Sequence, residues 1–203
     1  MDKQLMRENY VVHLMNTGFM QASKSFSTLI NRDVKITNTK SVLIRHDDDF
    51  SYITEDEGPL YLLITKIVGN LAGKSYFILN EKESDSICFM IGGTRERSQS
   101  MKDPILLELD NIISASVISQ LSNSLKLSIY GDVPELCKMG SLDLQDFIVK
   151  DVREEDPSSI ILTYTTFQFE GHHEVHPQFI WKLSSKIFDA VPSVNLYKNP
   201  VLG

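Results

Sequence analysis

Two halves of this chain repeat one order of elements, and this repeat restricts the possible folds more than any other feature. Residues 13–16 (His-Leu-Met-Asn) align with residues 108–111 (Glu-Leu-Asp-Asn), ninety-five positions later, each inside a long segment with helical apolar spacing. Downstream, segments 60–77 and 160–181 are each predicted to form a β-hairpin with glycine near the turn. Each half therefore runs helix, strand region, long hairpin and short helix.

The two halves meet at a break in the pattern. A short amphipathic segment ends each half, at 83–91 and 184–191. The first is followed by residues 92–94 (Gly-Gly-Thr), a breaker cluster, and by the polar, charged run 95–102. We therefore place the junction of the two halves near residue 92.

The repeat predicts one domain rather than two. At 203 residues, with 42% hydrophobic and 23% charged residues, the chain can bury a single large core and has the composition of a globular protein. We expect an α/β (α+β) domain over 1–203, with pseudo-repeats of about 1–92 and 93–203 related by a pseudo-two-fold axis. Two long surface helices should lie on a mainly antiparallel sheet.

The second long helix, predicted over 103–125, presents a distinctive polar pair. Its apolar stripe recurs at intervals of three and four and consists of Leu106, Leu109, Ile113, Val117 and Leu121. Glu108 and Asn111 are three residues apart, so they share one helical face, opposite that stripe. Asp103 is predicted to cap the helix, with Pro104 in the first turn. A carboxylate beside a carboxamide on an exposed helix can reach into the active site of a partner.

The first long helix carries a weaker copy of this pair. Its stripe of apolar and small residues consists of Val11, Leu14, Gly18, Ala22 and Leu29, and the residues predicted to face outward are His13, Asn16, Met20 and Ser27. His13 stands at the position of the glutamate, and an imidazole is a poor replacement for a carboxylate that pairs with a cation on a partner. We interpret His13 and Asn16 as a degenerate site.

Residues 108–136 resemble the second active-site segment of the CheC family of chemotaxis phosphatases, whose relatives include CheX and FliY. That family carries the pattern Asp/Ser-x3-Glu-x2-Asn-x22-Pro on a long surface helix and the strand after it. Glu108, Asn111 and Pro134 match its last three elements at the same spacing. The first element falls on Pro104, and the nearest acid is one residue early.

The resemblance implies hydrolysis of the aspartyl phosphate on a CheY-like response regulator in chemotaxis signalling. The receiver domain would supply the phosphoryl group, Mg²⁺ and a lysine, so no metal or cofactor bound by this chain is expected. Asn111 would hold the attacking water in line, and Glu108 would pair with the receiver lysine. Asp103 and Pro134 would support the motif, and the counterpart of Pro134 in the N-terminal copy is Thr39.

A second function stays open from the sequence. The family also contains binding partners of the receptor deamidase CheD and components of the flagellar switch. With one degenerate half and Pro104 out of pattern, the chain could be a non-catalytic docking or adaptor protein that binds a receiver domain or a CheD-like protein. Phosphate release from a phosphorylated receiver in the presence of Mg²⁺ distinguishes the two functions.

One hairpin end is rich in side chains that can bind metals. These are Glu170, His172, His173, Glu174 and His176, and alternate residues of a strand share a face. We favour a polar, exposed hairpin end, because catalytic zinc sites usually space their ligands differently.

Two acidic segments have simpler interpretations. Residues 46–49 (His-Asp-Asp-Asp) lack the glycine and the distal glutamate of a calcium loop and are predicted to form a solvated loop. Residues 154–157 (Glu-Glu-Asp-Pro) are predicted to form a charged turn. The sequence contains neither a phosphate-binding loop motif nor a nucleophile elbow.

Composition argues against several other classes of protein. The net charge of −7 and the scattered lysines and arginines argue against nucleic-acid binding. Two cysteines, Cys88 and Cys137, are expected to be small buried thiols rather than a disulfide framework. Residues 1–9 are charged and polar, and no run approaches the roughly 20 apolar residues of a membrane span, so we expect a cytoplasmic protein without a signal peptide.

Overall fold

The computed structural model describes residues 2–44, 58–94, 99–153, 158–171 and 173–192. Its helices are α1 (Lys3–Ile30), α2 (Glu81–Gly92), α3 (Lys102–Leu125), α4 (Ser141–Arg153) and α5 (Lys186–Asp189). Its strands are β1 (Val34–Ile44), β2 (Leu60–Gly69), β3 (Gly73–Asn80), β4 (Ile129–Gly131), β5 (Glu135–Met139), β6 (Ser158–Phe169), β7 (His173–Val175) and β8 (Gln178–Ser184). The interpreted segments 46–49, 95–98 and 154–157, and His172, lie outside the described residues.

The strands form one eight-stranded sheet in which every described pair is antiparallel. The main order is β1-β6-β8-β3-β2-β4, with β7 also paired to β6 and β5 also paired to β2. This order is symmetric about the central β3–β8 pair. The first half places β1 beside the hairpin of the second half, and the second half places β4 and β5 beside the hairpin of the first. The two halves therefore share one sheet in a single domain, and the predicted fold class is confirmed.

The first predicted hairpin is confirmed as β2 and β3, which pair from Leu60 opposite Asn80 to Ile67 opposite Gly73. Gly69 begins the turn with a φ of 119°. A Cβ atom at this position would lie 1.9 Å from the carbonyl oxygen of Ser128. Both the backbone conformation and the lack of space therefore require glycine here.

The second predicted hairpin is also confirmed, but its returning strand is divided. β6 pairs with both β7 and β8, and the gap between these two strands contains Pro177, which has no N–H to donate to a ladder. The carbonyl oxygen of Pro177 instead accepts a hydrogen bond from the Thr165 hydroxyl at 2.7 Å. Gly171, in the turn before β7, has a φ of 89°.

The two long helices pack on one face of the sheet and against each other. Every residue predicted for the α3 stripe is buried, and four of the five predicted for α1 are buried, namely Val11, Leu14, Gly18 and Ala22. Gly18 permits the close approach, since a Cβ atom there would lie 2.6 Å from the Cα atom of Val117. The prediction for Leu29 is wrong. This side chain is 57% exposed because it lies beyond Phe26, the last residue that α1 buries.

Helix α4 covers the opposite face of the sheet and was not assigned from the sequence. The core on this face consists of Ile44, Leu60, Leu62, Ile64, Tyr76, Ile78, Leu144, Ile148, Ile160, Leu162 and Ile180. Asp151 of α4 accepts hydrogen bonds from the Tyr76 hydroxyl and from the ammonium groups of Lys74 and Lys182. Burial alone would raise the pKa of Asp151, but these hydrogen bonds outweigh burial and hold the pKa below its ordinary value. The network thus ties α4 to β3 and β8 at the centre of the sheet.

The two cysteines are free thiols, with Cys88 buried and Cys137 partly buried. Burial raises the pKa of Cys88 to about 12. Because the thiolate is the reactive form, Cys88 is inert at neutral pH.

Helix α3 is the one helix among the described residues whose length and apolar composition would allow it to cross a membrane. The core helix of a globular domain satisfies the same criterion. In this fold α3 buries its apolar stripe against α1 and the sheet.

Candidate functional site

Glu108 and Asn111 are both exposed on α3. Leu109, between them in sequence, is fully buried, as is Ile113 one half-turn beyond Asn111. The carboxylate and the carboxamide therefore project away from the core on one side of the helix, at the place that the helical spacing predicts.

Helix α3 begins one residue earlier than predicted. Lys102 is its first residue, and Met101 precedes it without a side-chain capping bond. The prediction that Asp103 caps the helix is therefore wrong. Lys102 is held in the helix by an ion pair with Asp85 at 2.7 Å, and Asp103, inside the first turn, pairs with Lys138 of β5 at 3.0 Å.

The chain from β4 to β5 runs alongside α3 and contacts it at both ends. Near its start, Gly131 is so close to α3 that a Cβ atom would lie 3.1 Å from Cδ1 of Ile118. Near its end, Lys138 forms the ion pair with Asp103. Pro134 is buried between these two contacts. The segment that contains Pro134 therefore passes the part of α3 that carries the polar pair.

Two large apolar side chains are exposed on this same segment. Tyr130 is 64% exposed and Val133 is 78% exposed, and Val133 directly precedes the buried Pro134. Exposed apolar side chains beside polar groups are what a docking surface offers to a partner. We refer to Tyr130 and Val133 as the apolar rim.

A buried carboxylate lies directly beneath the exposed pair. Asp110 is fully buried, and its two oxygens accept hydrogen bonds from the hydroxyls of Thr65 at 2.7 Å and Ser114 at 3.1 Å. The Ser114 hydroxyl is also 3.0 Å from the hydroxyl of Ser75. We call these four residues the carboxylate cluster.

The sequence interpretation missed the carboxylate cluster, although one signal was present. Asp110 and Ser114 are four residues apart and fall within the apolar stripe of α3, where every neighbour on that face is aliphatic. A polar pair on a stripe that must be buried indicates an internal hydrogen-bonding site. Thr65 and Ser75, on β2 and β3, give no comparable signal because each is the single serine or threonine of its strand.

Burial raises the pKa of Asp110 to about 6, and the hydrogen bonds from Thr65 and Ser114 act in the opposite direction. A carboxylate with no counter-ion is costly to desolvate, and hydroxyl donors compensate only in part. The pKa of Asp110 therefore lies well above that of an ordinary aspartate.

The N-terminal pair lies in a different environment. His13 and Asn16 are half-buried, and Met20 is 60% exposed. The side-chain oxygen of Asn16 accepts a hydrogen bond from the Asn38 amide at 2.5 Å. The Thr39 hydroxyl, at the position that corresponds to Pro134, donates to the carbonyl oxygen of Tyr164 at 3.0 Å. The amide oxygen of Asn16 is thus engaged within the protein.

The hairpin end with possible metal ligands is exposed, and two of its polar side chains bond within the hairpin. Glu174 accepts a hydrogen bond from the Gln168 amide at 3.0 Å, and Nδ1 of His176 lies 3.1 Å from the Thr166 hydroxyl. Over the described residues, no group of three or more histidines, cysteines or carboxylates has a geometry that could hold a metal ion.

A comparison with known sequences identifies one relevant relative. No family model matches the chain. The chain is 22% identical over 142 residues to the CheY-P phosphatase CheC of Bacillus subtilis (strain 168), a match that covers 67% of this chain and 66% of that protein. The matched region thus spans about two thirds of the length of CheC.

Solved structures share the fold over nearly the whole chain. FliY of Thermotoga maritima superposes with a TM-score of 0.70 at 15% identity, covering 95% of this chain and 94% of that one. CheX in the CheX–CheY–BeF3–Mg complex of Borrelia burgdorferi gives a TM-score of 0.51 at 11% identity, with coverages of 83% and 97%. FliM from the FliG–FliM complex of H. pylori gives 0.55 at 12% identity, with coverages of 93% and 99%.

The resemblance to the CheC/CheX/FliY superfamily is thus supported by a sequence match to CheC and by a fold shared with FliY and CheX.

Proposed function

We propose that this protein dephosphorylates the aspartyl phosphate of a CheY-like receiver domain, using Glu108 and Asn111. The observation that carries this proposal is the exposed carboxylate–carboxamide pair on α3, with buried Pro134 on the segment that runs beside it. The relation to a CheY-P phosphatase and the shared fold with a CheX that binds CheY support the same substrate class.

The chemistry requires little from this chain beyond positioning. Phosphoryl transfer needs an in-line nucleophile and stabilisation of charge on the phosphoryl oxygens. The receiver domain would provide Mg²⁺ and a lysine for the charge. The Asn111 carbonyl can accept a hydrogen bond from water and hold it opposite the leaving oxygen. Glu108 would pair with the receiver lysine and orient the two proteins.

The apolar rim extends the surface that a receiver could contact. Tyr130 and Val133 are exposed on the segment beside α3, so a partner that reaches the polar pair would also cover apolar area. The net charge of −7 offers no bulk attraction to an acidic receiver. Docking would therefore depend on these local contacts rather than on the overall field of the protein.

A second candidate function is non-catalytic docking, in which the same surface binds a receiver, a CheD-like protein or a flagellar component. It is favoured by the likeness to FliM, which one solved structure shows in a complex with FliG, and by Pro104 at the first position of the motif. In that case α3 would bind its partner without turnover.

Phosphate release from a phosphorylated receiver tests the two functions against each other. The receivers encoded in the same genome would be phosphorylated with a small-molecule phosphodonor in Mg²⁺, and release would be followed with and without this protein. We expect acceleration by the wild-type protein and none by a variant that lacks both Glu108 and Asn111. Tight binding to a receiver without acceleration would contradict the phosphatase proposal and support docking.

Glu108→Ala is expected to weaken the complex with the receiver by about 2 kcal/mol, or about 30-fold in Kd, and to slow turnover as well. The reason is the loss of a contact to a lysine that is desolvated in the complex. Calorimetric titration with the BeF3-activated receiver measures this effect. Asp146→Ala, which removes an exposed carboxylate from α4 on the opposite face of the sheet, is the matched control and should bind normally. Equal binding by both variants would contradict the role of Glu108.

His13→Ala and Asn16→Ala are each expected to leave turnover nearly unchanged. The N-terminal half has no carboxylate at the motif position, and the Asn16 amide oxygen is already bound by Asn38. Loss of that hydrogen bond should cost Asn16→Ala about 1 kcal/mol of folding free energy. Phosphate release by folded protein is the measurement. If either variant stays folded but loses turnover, the N-terminal half carries an active site.

A further inference from the structure

Asp110 lies on the inward face of the helical turn that carries Glu108 and Asn111, so its contacts can set the orientation of that turn. It lies between Glu108 and Asn111 in sequence but faces inward, where it is fully buried. Its neighbour in the cluster, Ser114, lies one turn later on the same face of α3. The inward side of the turns that present the motif therefore contains a polar pair within the apolar stripe.

The carboxylate cluster joins three elements. Asp110 and Ser114 belong to α3, Thr65 to β2 and Ser75 to β3. An ionised carboxylate only accepts hydrogen bonds, so Thr65 and Ser114 must both donate to it, and Ser114 must then accept from Ser75. Ionisation of Asp110 thus gives every hydroxyl one direction and fixes the rotation of α3 on the sheet.

The fold does not require this cluster, because the other half of the protein lacks it. At the same ninety-five-residue offset, Asp110 corresponds to Met15 and Ser114 to Phe19. Both are fully buried, and the Phe19 ring packs edge-on against Phe179 at 5.3 Å between centroids. The corresponding positions on α1 are thus filled by apolar side chains. Packing alone therefore does not explain the buried carboxylate on α3.

No cation among the described residues is paired with Asp110. The charged and titratable side chains on the elements packed against the cluster are Lys3, Arg7, Glu8, Tyr10, His13 and Lys24 on α1, Glu81, Lys82, Glu83, Asp85 and Cys88 on α2, Tyr61 and Lys66 on β2, Lys74 and Tyr76 on β3, Lys102, Asp103 and Glu108 on α3, Tyr130 on β4, Glu135, Cys137 and Lys138 on β5, and Lys182 on β8. The cations with ion pairs on these elements bind other carboxylates, in the pairs Arg7–Asp189, Lys66–Glu135, Lys74–Asp151, Lys102–Asp85, Lys138–Asp103 and Lys182–Asp151. Only hydroxyl groups oppose the desolvation of Asp110.

We propose that Asp110 is a positioning residue for Asn111, whose ionised carboxylate fixes the rotation of α3 and so the direction in which the Asn111 amide projects. Its effect on turnover rests on the phosphatase function proposed above. Protonation would make the carboxyl group a donor, so one of the hydroxyls must reverse and the cluster no longer has a single arrangement. The exposed amide would then lose its fixed direction.

Turnover measured against pH tests this role. Relative to wild type, Asp110→Asn should lower kcat by about tenfold near pH 7.5, as expected for a small misplacement of a catalytic group, with KM for the receiver within twofold. The ratio of the wild-type kcat to the kcat of Asp110→Asn should fall from about ten towards one near pH 5, where Asp110 is neutral. Using the ratio removes the pH dependence of the receiver itself. A ratio that is constant over this range would overturn the proposal.

A second pair of variants leaves α3 untouched. Thr65→Val removes one donor to Asp110 with little change of shape, and Thr65→Ser keeps the hydroxyl. Thr65→Val should lower kcat several-fold, and Thr65→Ser should restore it. If the two variants turn over equally while both remain folded, the hydrogen bond has no positioning role and the proposal fails.

An NMR titration of the free protein separates this inference from the phosphatase proposal. In a Glu108→Gln background, the side-chain amide resonances of Asn111 should shift with the ionisation of Asp110, and this shift should vanish in Asp110→Asn. If the Asn111 resonances do not shift as Asp110 titrates, the positioning role is overturned even if the protein is a phosphatase. A clear titration in a protein that dephosphorylates no receiver would refute the phosphatase proposal alone.

Discussion

Asn111→Ala is expected to slow dephosphorylation of the receiver by about a hundredfold. This is the usual loss when one group that hydrogen-bonds in the transition state is removed. The exposed carboxamide on α3 has one proposed task, which is to hold the attacking water in line with the leaving oxygen. Without it, water must find that geometry unaided, and the chemical step slows while the receiver still supplies its Mg²⁺ and lysine.

Affinity for the receiver should change little in Asn111→Ala, because the water contact forms mainly in the transition state. Stability should change by no more than about 0.5 kcal/mol, since the side chain is exposed. Single-turnover rates at saturating protein measure the effect. Asn9→Ala, which removes an exposed asparagine from α1, is the matched control. Full turnover by Asn111→Ala would exclude the water-positioning role and leave docking as the better function.

The features that were predicted correctly depend on local sequence. The α3 stripe and the exposed Glu108 and Asn111 follow from helical periodicity, which needs no knowledge of the partner element. The β2–β3 hairpin follows from strand residues around a glycine turn, and Gly69 has the positive φ that such a turn demands. Each of these signals acts over a few residues.

The features that were missed depend on tertiary contacts. Leu29 has the correct helical angle for burial, but it lies beyond Phe26, the last residue that α1 buries, and is exposed. Asp103 has the residue type of a cap, but Lys102 is held in the helix by Asp85, and Asp103 binds Lys138 instead. The sequence also does not indicate that β1 pairs with the hairpin of the second half, and β4 and β5 with the hairpin of the first. The order of elements along each half would be the same if these strands joined the hairpin of their own half.

Only the surface residues of the candidate site could be predicted from the sequence, and the buried carboxylate cluster could not. The spacing of Glu108, Asn111 and Pro134 is a sequence pattern, whereas the contacts of Asp110 with Thr65 and Ser75 join positions far apart in the chain. No periodicity on β2 or β3 indicates which strand residues lie beneath α3. The asymmetry between the two helices, with Asp110 on one and Met15 on the other, becomes informative only when both positions are known to be buried.

Asp110→Asn is expected to make the protein more stable near neutral pH, by up to about 3 kcal/mol. The folded-state pKa of Asp110 is raised from 3.8 to about 6 by burial, so the folded protein binds the proton more tightly than the unfolded chain does. Stability from this group is therefore fully present below about pH 4 and is lost as the pH rises through about 6. A shift of about two pKa units corresponds to about 3 kcal/mol.

Asparagine avoids this penalty because it is neutral at every pH and nearly the same shape. Its carbonyl can accept from one hydroxyl of the cluster, and its amide can donate to the other. Urea unfolding of both proteins near pH 7.5 and near pH 4 measures the effect, and the difference in unfolding free energy should nearly disappear at the lower pH. Glu108→Gln, which neutralises an exposed carboxylate two residues away, is the control and should be as stable as wild type at both pH values. If Asp110→Asn is less stable than wild type near pH 7.5, the ionised carboxylate stabilises the fold and this prediction is wrong. If the variant is more stable but turns over more slowly, the ionised carboxylate serves function at the expense of stability.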